Sequence, residues 1–515
     1  MNFKTLAVQQ IFTIIGAGCT GTFIAAMLAQ LAKKMPEIAH HIRIMSDTFF
    51  GGSTLKVTQT HWSGTEYIAD PESAFACIKG GIEFLAIWGD QGFQKLQELG
   101  ILDHQGTEFT FSSTTLMQGT PTPETVRKNL AIFEAYYQAL KTTFPASLSL
   151  PEHLYNEISQ PVTGDPFAPI TVKSSQRGTS IIRLGALLRH ALEQEGVEIL
   201  PEKVTEITQK GALFTINGRP TDTLINATNG EFMDILSLIR KGTPGTTLQA
   251  PPDIMRNHRY QLYLVATPPA TMNPKEVDRV FGPKYSLSTA NALDLTADPN
   301  TQFTGVMVDR ISTLDNGSML FALYAAGPKD REIAGGGSWA ESGVPVEKTP
   351  AWPPTREEDI AQISAKIIAS CEAQFPELKQ LTNRKVLRLH DGYNINADTE
   401  QTRGRSDIRH FIPPVTHTEH PISITPWSTK YTQAAYTAKY TLHHYLQLLE
   451  TNGLLSQDRK IELQAQLQTI SLNPDQLTPS ELTVAAATLG DHLQLGPLTP
   501  YMAAPKSGQA LKTGH

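Results

Sequence analysis

At 515 residues, with 43 basic against 50 acidic side chains and a formal net charge of −7, the chain is long enough for two to three domains. The two signs are mixed along it, which argues against the basic face that a nucleic-acid partner or an anionic membrane surface would need. Its three cysteines, Cys19, Cys77 and Cys371, are widely spaced and form no metal-ligand motif, so a reducing, cytoplasmic setting is expected, with peripheral attachment to a membrane left open.

The first element is an apolar run, "IFTIIGAGCTGTFIAAMLAQLAKKMPEIAHHIRIMSD", from Ile11 to Asp47. Gly16, Gly18 and Gly21 break it after five residues, so it suits neither a spanning helix of about 20 apolar residues nor a secretory signal. Ile11 to Ile15 predicts a buried strand. Phe23, Ile24, Met27, Leu28 and Leu31 recur at helical spacing until Pro36, and Ile42 to Met45 predicts a second strand ending beside Asp47. In this βαβ unit the glycines satisfy G-x-G-x-x-G. The first permits the turn, the second lets a pyrophosphate approach the backbone, the third lets helix pack on strand, and the helix N-terminus offers N–H groups to the phosphate charge. Asp47 is the natural acceptor for an adenosine ribose hydroxyl, with Ser46 as the alternative occupant of that place. Cys19 is read as a small residue in the turn.

After "GGST" and "HWSG" (Gly51–Thr54, His61–Gly64), helices are expected over Pro71–Leu85, Gln91–Leu99 and Pro123–Thr143. A further helix starts near Arg183. Short strands follow at Val197–Leu200, Val204–Gln209, Ala212–Ile216 and Thr223–Asn226, the last running into the small residues of "NATNG", as a strand does where a ligand lies over its carboxyl end. Between Arg259 and Ala326 the strands "YQLYLVATP", "TGVMVDRIS" and "SMLFALYAAG" suit an antiparallel sheet in a second domain. Residues 335–354 read as a Gly/Ser/Pro-rich loop. A helix from about Arg356 to Gln374 leads to the strand "RKVLRLHDGY", then "ISITPWSTKYTQAAYTAKYTLHHYLQLL" reads as strand, turn and long helix, and from about Glu450 the chain is helical up to a Gly/Lys-rich tail.

Taken in order, "GAGCTG", "GGST" with "HWSG", "KVTEI…LINATNG", "FPEL…VLRLHDGY" and "ITPWSTKYT" resemble the FAD-dependent D-amino-acid-oxidase-like superfamily, which includes glycine and sarcosine oxidases, dimethylglycine dehydrogenase and glycerol-3-phosphate dehydrogenase. The resemblance spans most of residues 10–450. It implies an α/β fold: a discontinuous Rossmann-like FAD-binding domain (8–70, 172–240 and 380–450), an antiparallel-sheet substrate domain (71–171 and 241–379), a helical C-terminal extension (451–500) and a disordered tail (501–515).

By resemblance, Gly16, Gly18 and Gly21 would cradle the FAD pyrophosphate, and Asp47 or Ser46 would meet the ribose. Ser53 and Thr54 would contact phosphate or ribityl oxygens, Val204 would use its backbone on the adenine, and Ala227 and Thr228 would line the adenosine side. Lys430 and Thr432 would face the flavin pyrimidine ring, stabilising negative charge there. His61 repeats the H-x-x-G spacing of a histidine that some amine dehydrogenases of the superfamily bond covalently to flavin. Where the family has an acid this chain has Ser46; the arginine expected after the glycine of Gly392-Tyr393 is replaced; and Trp427 and Ser428 stand at glycine positions.

The implied activity is FAD-dependent transfer of a hydride from a C–N bond of an amine or amino-acid-like small molecule to the flavin, with no metal and no transmembrane segment. His61, Tyr263, Arg310 and His390 are the candidate pocket residues, Arg310 as a clamp for a carboxylate. An NAD(P)-dependent dehydrogenase would share the glycine turn but needs neither the 204–230 block nor the far C-terminal turn. Oxidation of a C–O bond in the manner of glycerol-3-phosphate dehydrogenase is favoured by "STKYT" and disfavoured by the lack of an arginine cluster for phosphate, while a non-catalytic flavoprotein accommodates the departures. Oxygen, a quinone and a carrier protein all stay open as electron acceptors.

Overall fold

A computed structural model describes residues 8–36, 38–51, 60–61, 64–65, 68, 71–112, 123–159, 170–228, 232–243, 254–282, 284–288, 306–334, 357–397, 411–419, 421–428 and 433–506. In chain order these form β1 (Val8–Ala17), α1 (Cys19–Ala32), β2 (Ile38–Phe49), β3 (Thr60–His61), α2 (Pro71–Ala86), α3 (Gly92–Glu98), β4 (Glu108–Ser112), α4 (Pro123–Lys141), β5 (Tyr155–Ser159), β6 (Ile170–Ser174), β7 (Arg177–Gly178) and α5 (Ile181–Gln194). Next come β8 (Glu198–Leu200), β9 (Ile207–Lys210), β10 (Leu213–Ile216), β11 (Arg219–Thr221), β12 (Thr223–Asn226), α6 (Phe232–Gly242), β13 (Ile254–Thr267), α7 (Pro274–Val280), β14 (Lys284–Ser288), β15 (Val306–Thr313) and β16 (Met319–Ala334). The rest is α8 (Glu357–Gln374), β17 (Thr382–Ala397), β18 (Phe411–Glu419), β19 (Ile422–Ser428), α9 (Ala434–Thr451), α10 (Gln457–Gln468), α11 (Pro479–His492) and α12 (Thr499–Ala503).

One sheet has the order β18-β19-β12-β1-β2-β8. All its neighbours pair in parallel except the edge strand β18, so the carboxyl ends of five strands meet at one edge. Both faces are covered, which is why "FTII" and "TLIN" are continuous runs rather than alternating ones. On one face Phe12 meets the Tyr445 ring of α9 edge-on at 4.9 Å, and Phe23, Ile24, Met27 and Leu28 of α1 are fully buried. On the other face Ile15, Met45 and Leu224 pack against Phe214 and Ile216 of the β9–β11 meander and Ile235, Leu236 and Ile239 of α6.

The second sheet has eight strands in the order β17-β13-β16-β15-β14-β4-β6-β5, antiparallel except where β14 meets β4. Its two faces are used differently. Leu262, Leu264, Phe321 and Leu323 point to α8, where Ile367 and Cys371 close a separate core. Tyr263, Leu320 and Ala322 join the main core shared with the parallel sheet and the C-terminal helices. Two expected boundaries move. β17 pairs with β13 from Thr382 to Ala397, which places this strand in the antiparallel sheet rather than with the segment 380–450. The small sheet segment β4–β6, not foreseen as strands, extends that same sheet to residue 174.

Of the tail expected to be disordered, residues 501–506 are described and are held by buried polar side chains. Arg183 of α5, fully buried, donates to Leu99 O from Nε (2.9 Å) and Nη2 (2.6 Å), and from Nη1 to Ala503 O (2.6 Å) and Thr483 Oγ1 (2.8 Å). Lys506, also fully buried, donates to both oxygens of Asp309 (2.6 and 2.7 Å) and to Arg310 O (3.1 Å). Gly178 makes room for this pair: a Cβ there would lie 2.5 Å from Lys506 Nζ and 2.9 Å from Asp309 Oδ1. Removing one member of a buried pair leaves the other charge desolvated. Lys506→Met should therefore cost about 3–5 kcal/mol and lower Tm, and Lys506→Met with Asp309→Leu should recover most of the loss, both read by differential scanning fluorimetry.

Candidate functional site

The glycine turn sits at the carboxyl edge of the parallel sheet and is shaped by steric closure. Gly16 has φ +100°, and a Cβ on it would lie 2.8 Å from Ala227 O and 3.0 Å from Thr228 Cα. Only glycine fits such a backbone against the end of β12. At Gly21 a Cβ would lie 2.0 Å from Gly16 O, so α1 can rest on the turn only without a side chain there. Gly18 is the N-cap of α1 in extended geometry. No side chain caps this helix and no acid stands in its first turn, which leaves its N-terminal N–H groups to an external anion. Gly16, Gly18 and Thr20 are half-exposed while Ala17, Cys19 and Gly21 are buried. Burial pushes the Cys19 thiol well up, which fits a packing role and not a reactive one.

The neighbouring strand ends surround this turn. Phe50 N donates to Ala17 O (2.9 Å), fixing the end of β2 beside it. Ser46 is half-buried and spends its hydroxyl on Thr48 O (2.8 Å), whereas Asp47 is exposed and, among the described residues, accepts only a long contact from Thr48 Oγ1 at 3.4 Å. Of the two, Asp47 has the less engaged side chain. The Val204 side chain is buried in the core between the parallel sheet and the meander. Its loop is clamped by Asn217, whose Oδ1 accepts from Thr205 N (3.0 Å) and Glu206 N (3.1 Å) and whose Nδ2 donates to Lys203 O (2.8 Å). Ala227 N donates to Ile15 O (2.8 Å), and Thr228 Oγ1 to Asn226 Oδ1 (2.7 Å). Gly16, Gly18, Gly21, Asp47, Ala227 and Thr228 thus gather at one edge.

On the second sheet, Tyr263 and His390 are brought together, their rings edge-on at 5.2 Å, and Gln261 Nε2 donates to the Tyr263 hydroxyl (2.6 Å). All three are buried on the face turned to the main core. Burial pushes the Tyr263 hydroxyl well up, so it stays protonated. Asp309 lies on the same face, opposite Ala322, which in turn is opposite Tyr263. Burial raises its carboxyl group, against the pull of Lys506. Arg310, adjacent in β15, points the other way, by the alternation of a strand. It is buried there and pairs with Asp278 of α7 at 2.7 Å. The expected carboxylate clamp is therefore not on the face with Tyr263 and His390.

His61 is described in its backbone only, where β3 pairs with β7 and His61 stands opposite Arg177. Ser53, Thr54, Lys430 and Thr432 lie outside the described residues. Sequence reading missed Gln261, the Asp309–Lys506 pair and Arg183; partners 197 and 320 positions apart leave no local signal. Among the described residues no group of three or more His, Cys, Asp or Glu could hold a metal, and no helix is long and apolar enough to cross a membrane.

No family model and no curated protein matches the sequence. Solved structures do match its fold. A variant of NikD, an unusual amino acid oxidase essential for nikkomycin biosynthesis, aligns with a TM-score of 0.50 at 10% identity over 84% of this chain and 92% of its own. Glycine oxidase from Geobacillus kaustophilus gives 0.48 at 11% identity over 84% and 94%, and FAD-bound L-alpha-glycerophosphate oxidase from Mycoplasma pneumoniae 0.49 at 14% over 84% and 94%. The likeness to the NikD variant is one of fold, a parallel sheet beside a largely antiparallel one, which is the α/β architecture expected from the sequence.

The closure of the turn can be measured. Gly21→Ala should cost about 3 kcal/mol, since the methyl group meets backbone. Gly317→Ala, where φ is +78° with nothing within 4 Å, should cost about 1 kcal/mol. Their Tm values should fall in that order below the parent protein's.

Proposed function

We propose that the chain binds FAD at the carboxyl edge of the parallel sheet and oxidises a C–N bond of an amine or amino-acid-like small molecule. The observation that carries this is the turn whose Gly16 and Gly21 leave no space for a Cβ against Ala227, Thr228 and the turn itself, beneath an uncapped helix N-terminus. These residues fit a pyrophosphate: Gly16, Gly18 and Gly21 would let it approach, and the first N–H groups of α1 would bind its charge. Asp47 would take the ribose hydroxyls, the clamped loop would present the Val204 backbone to the adenine, and Ala227 and Thr228 would line the adenosine. When bound, FAD would supply the electron sink.

The protein's own part is positioning and exclusion of water. Gln261, Tyr263 and His390 form a buried polar face on the second sheet, suited to orienting a small polar substrate. Tyr263, kept protonated and accepting from Gln261, has its own proton free to donate at neutral pH. An amine held in its neutral form needs no strong base, and among the described residues this face offers none beyond His390. The acid on it, Asp309, is already engaged by Lys506.

Purified protein should show flavin absorbance, bleached anaerobically by an amine or amino acid within a panel that includes polyols. Bleaching by a polyol phosphate alone would move the reaction to a C–O bond, and a protein that binds no flavin would end the proposal. Gly18→Val should fold and lose stoichiometric flavin; its retention would count against a nucleotide role for the turn. After acid precipitation, flavin fluorescence in the pellet would report a covalent bond at His61, and fluorescence confined to the supernatant would exclude one.

A further inference from the structure

Lys506 is engaged at every donor. Its ammonium group gives protons to both oxygens of Asp309 and to Arg310 O, and the two side chains of the pair are fully buried. It has no proton left to donate and no lone pair to offer, so it is not a reacting group. The surrounding chain is cut away to receive it. At Gly100, with φ +62°, a Cβ would lie 2.5 Å from the Pro505 Cβ, and Lys506 N donates to Gly100 O (2.9 Å). On the other side a Cβ on Gly178 would lie 2.5 Å from Nζ itself. A buried ion pair adds little net stability over an apolar pair of the same volume, and its best-attested use is to fix register.

What the pair registers follows from the strands it joins. Asp309 of β15 stands in one cross-strand row with Ala322 of β16 and Tyr263 of β13. Two strand spacings, about 10 Å, separate it from Tyr263. Gly178 belongs to β7, which pairs with β3 so that Thr60 is opposite Gly178 and His61 opposite Arg177. β7 and β15 lie in different sheets, and among the described residues no strand ladder joins them. The pair spans that gap, with Nζ and Asp309 Oδ1 both seated against Gly178. Resting on the FAD reading above, in which His61 is a candidate pocket residue, we infer that Lys506 is a positioning residue: through Asp309 it fixes how far the β3–β7 ribbon that carries His61 lies from the face of Gln261, Tyr263 and His390.

The experiment separates position from stability. Lys506→Met with Asp309→Leu fills the space of the pair without its directional bonds, and should regain most of the Tm that Lys506→Met alone loses. Amide exchange of the purified protein at peptides covering β3 and β7 should nevertheless be about tenfold faster than in the parent, with α4 and α8 unchanged. Mixed anaerobically with the amine or amino acid that bleaches the parent, the FAD-loaded double variant should be reduced about tenfold more slowly at saturation, with half-saturation within about threefold, since misplacement by about 1 Å costs rate more than binding. Parent-like exchange at β3 and β7 in a double variant whose Tm has recovered, or an unchanged limiting rate of reduction, would overturn the inference. In a parent protein that takes up no flavin the FAD reading falls, and the exchange result alone decides the register. If the double variant does not fold, Gly178→Ala sets a methyl group against Nζ with both charges kept. Faster exchange at β3 and β7 then supports the inference, and parent-like exchange refutes it.

Discussion

Everything at the carboxyl edge depends on the approach of Gly16 to the end of β12. With Gly16 in a left-handed backbone and no side chain between it and Ala227, the chain can leave β1 and enter α1 within two residues. The helix then begins over the sheet edge with its N–H groups free. A side chain at Gly16 or Gly21 would push strand and helix apart, and with them the two surfaces between which a ligand can lie. The rest of the parallel sheet supports this contact: β2 is tied to it through Phe50 N and Ala17 O, and β12 through Ala227 N and Ile15 O.

The antiparallel sheet and the C-terminal segment form a second layer of constraint. Arg183 holds α5, the end of α3, α11 and α12 through carbonyls and one hydroxyl, and Lys506 fastens the segment after α12 to β15. Both are charges taken out of water, tolerated because their donors are used. The C-terminal residues thus pack against the same sheet face that carries Gln261, Tyr263 and His390. They are part of the molecule's interior, and the polar face is enclosed partly by them.

The parallel half of the fold was legible because its signals are local. Three glycines at fixed spacing, a helical apolar stripe and short buried strands sit within 40 residues of one another, and each is dictated by backbone geometry. Tyr263 and His390 could be named as candidates, and β13 and β17 do place them together. Arg310 could not be aimed from sequence: strand alternation is certain, but which face is turned to the core depends on what packs there, and α8 took that face. The pairing of β17 with β13 and the burial of Lys506 were equally hidden, since both rest on contacts between residues more than a hundred positions apart.

The central claim, that the turn at the carboxyl edge seats the cofactor, is tested most directly by amide hydrogen exchange of the apoprotein with and without FAD. Peptides covering residues 15–22 and the end of β12 should be protected on FAD addition, with α4 and α8 unchanged. FAD binding that leaves those peptides unaltered, or protects a different part of the chain in their place, would contradict the account.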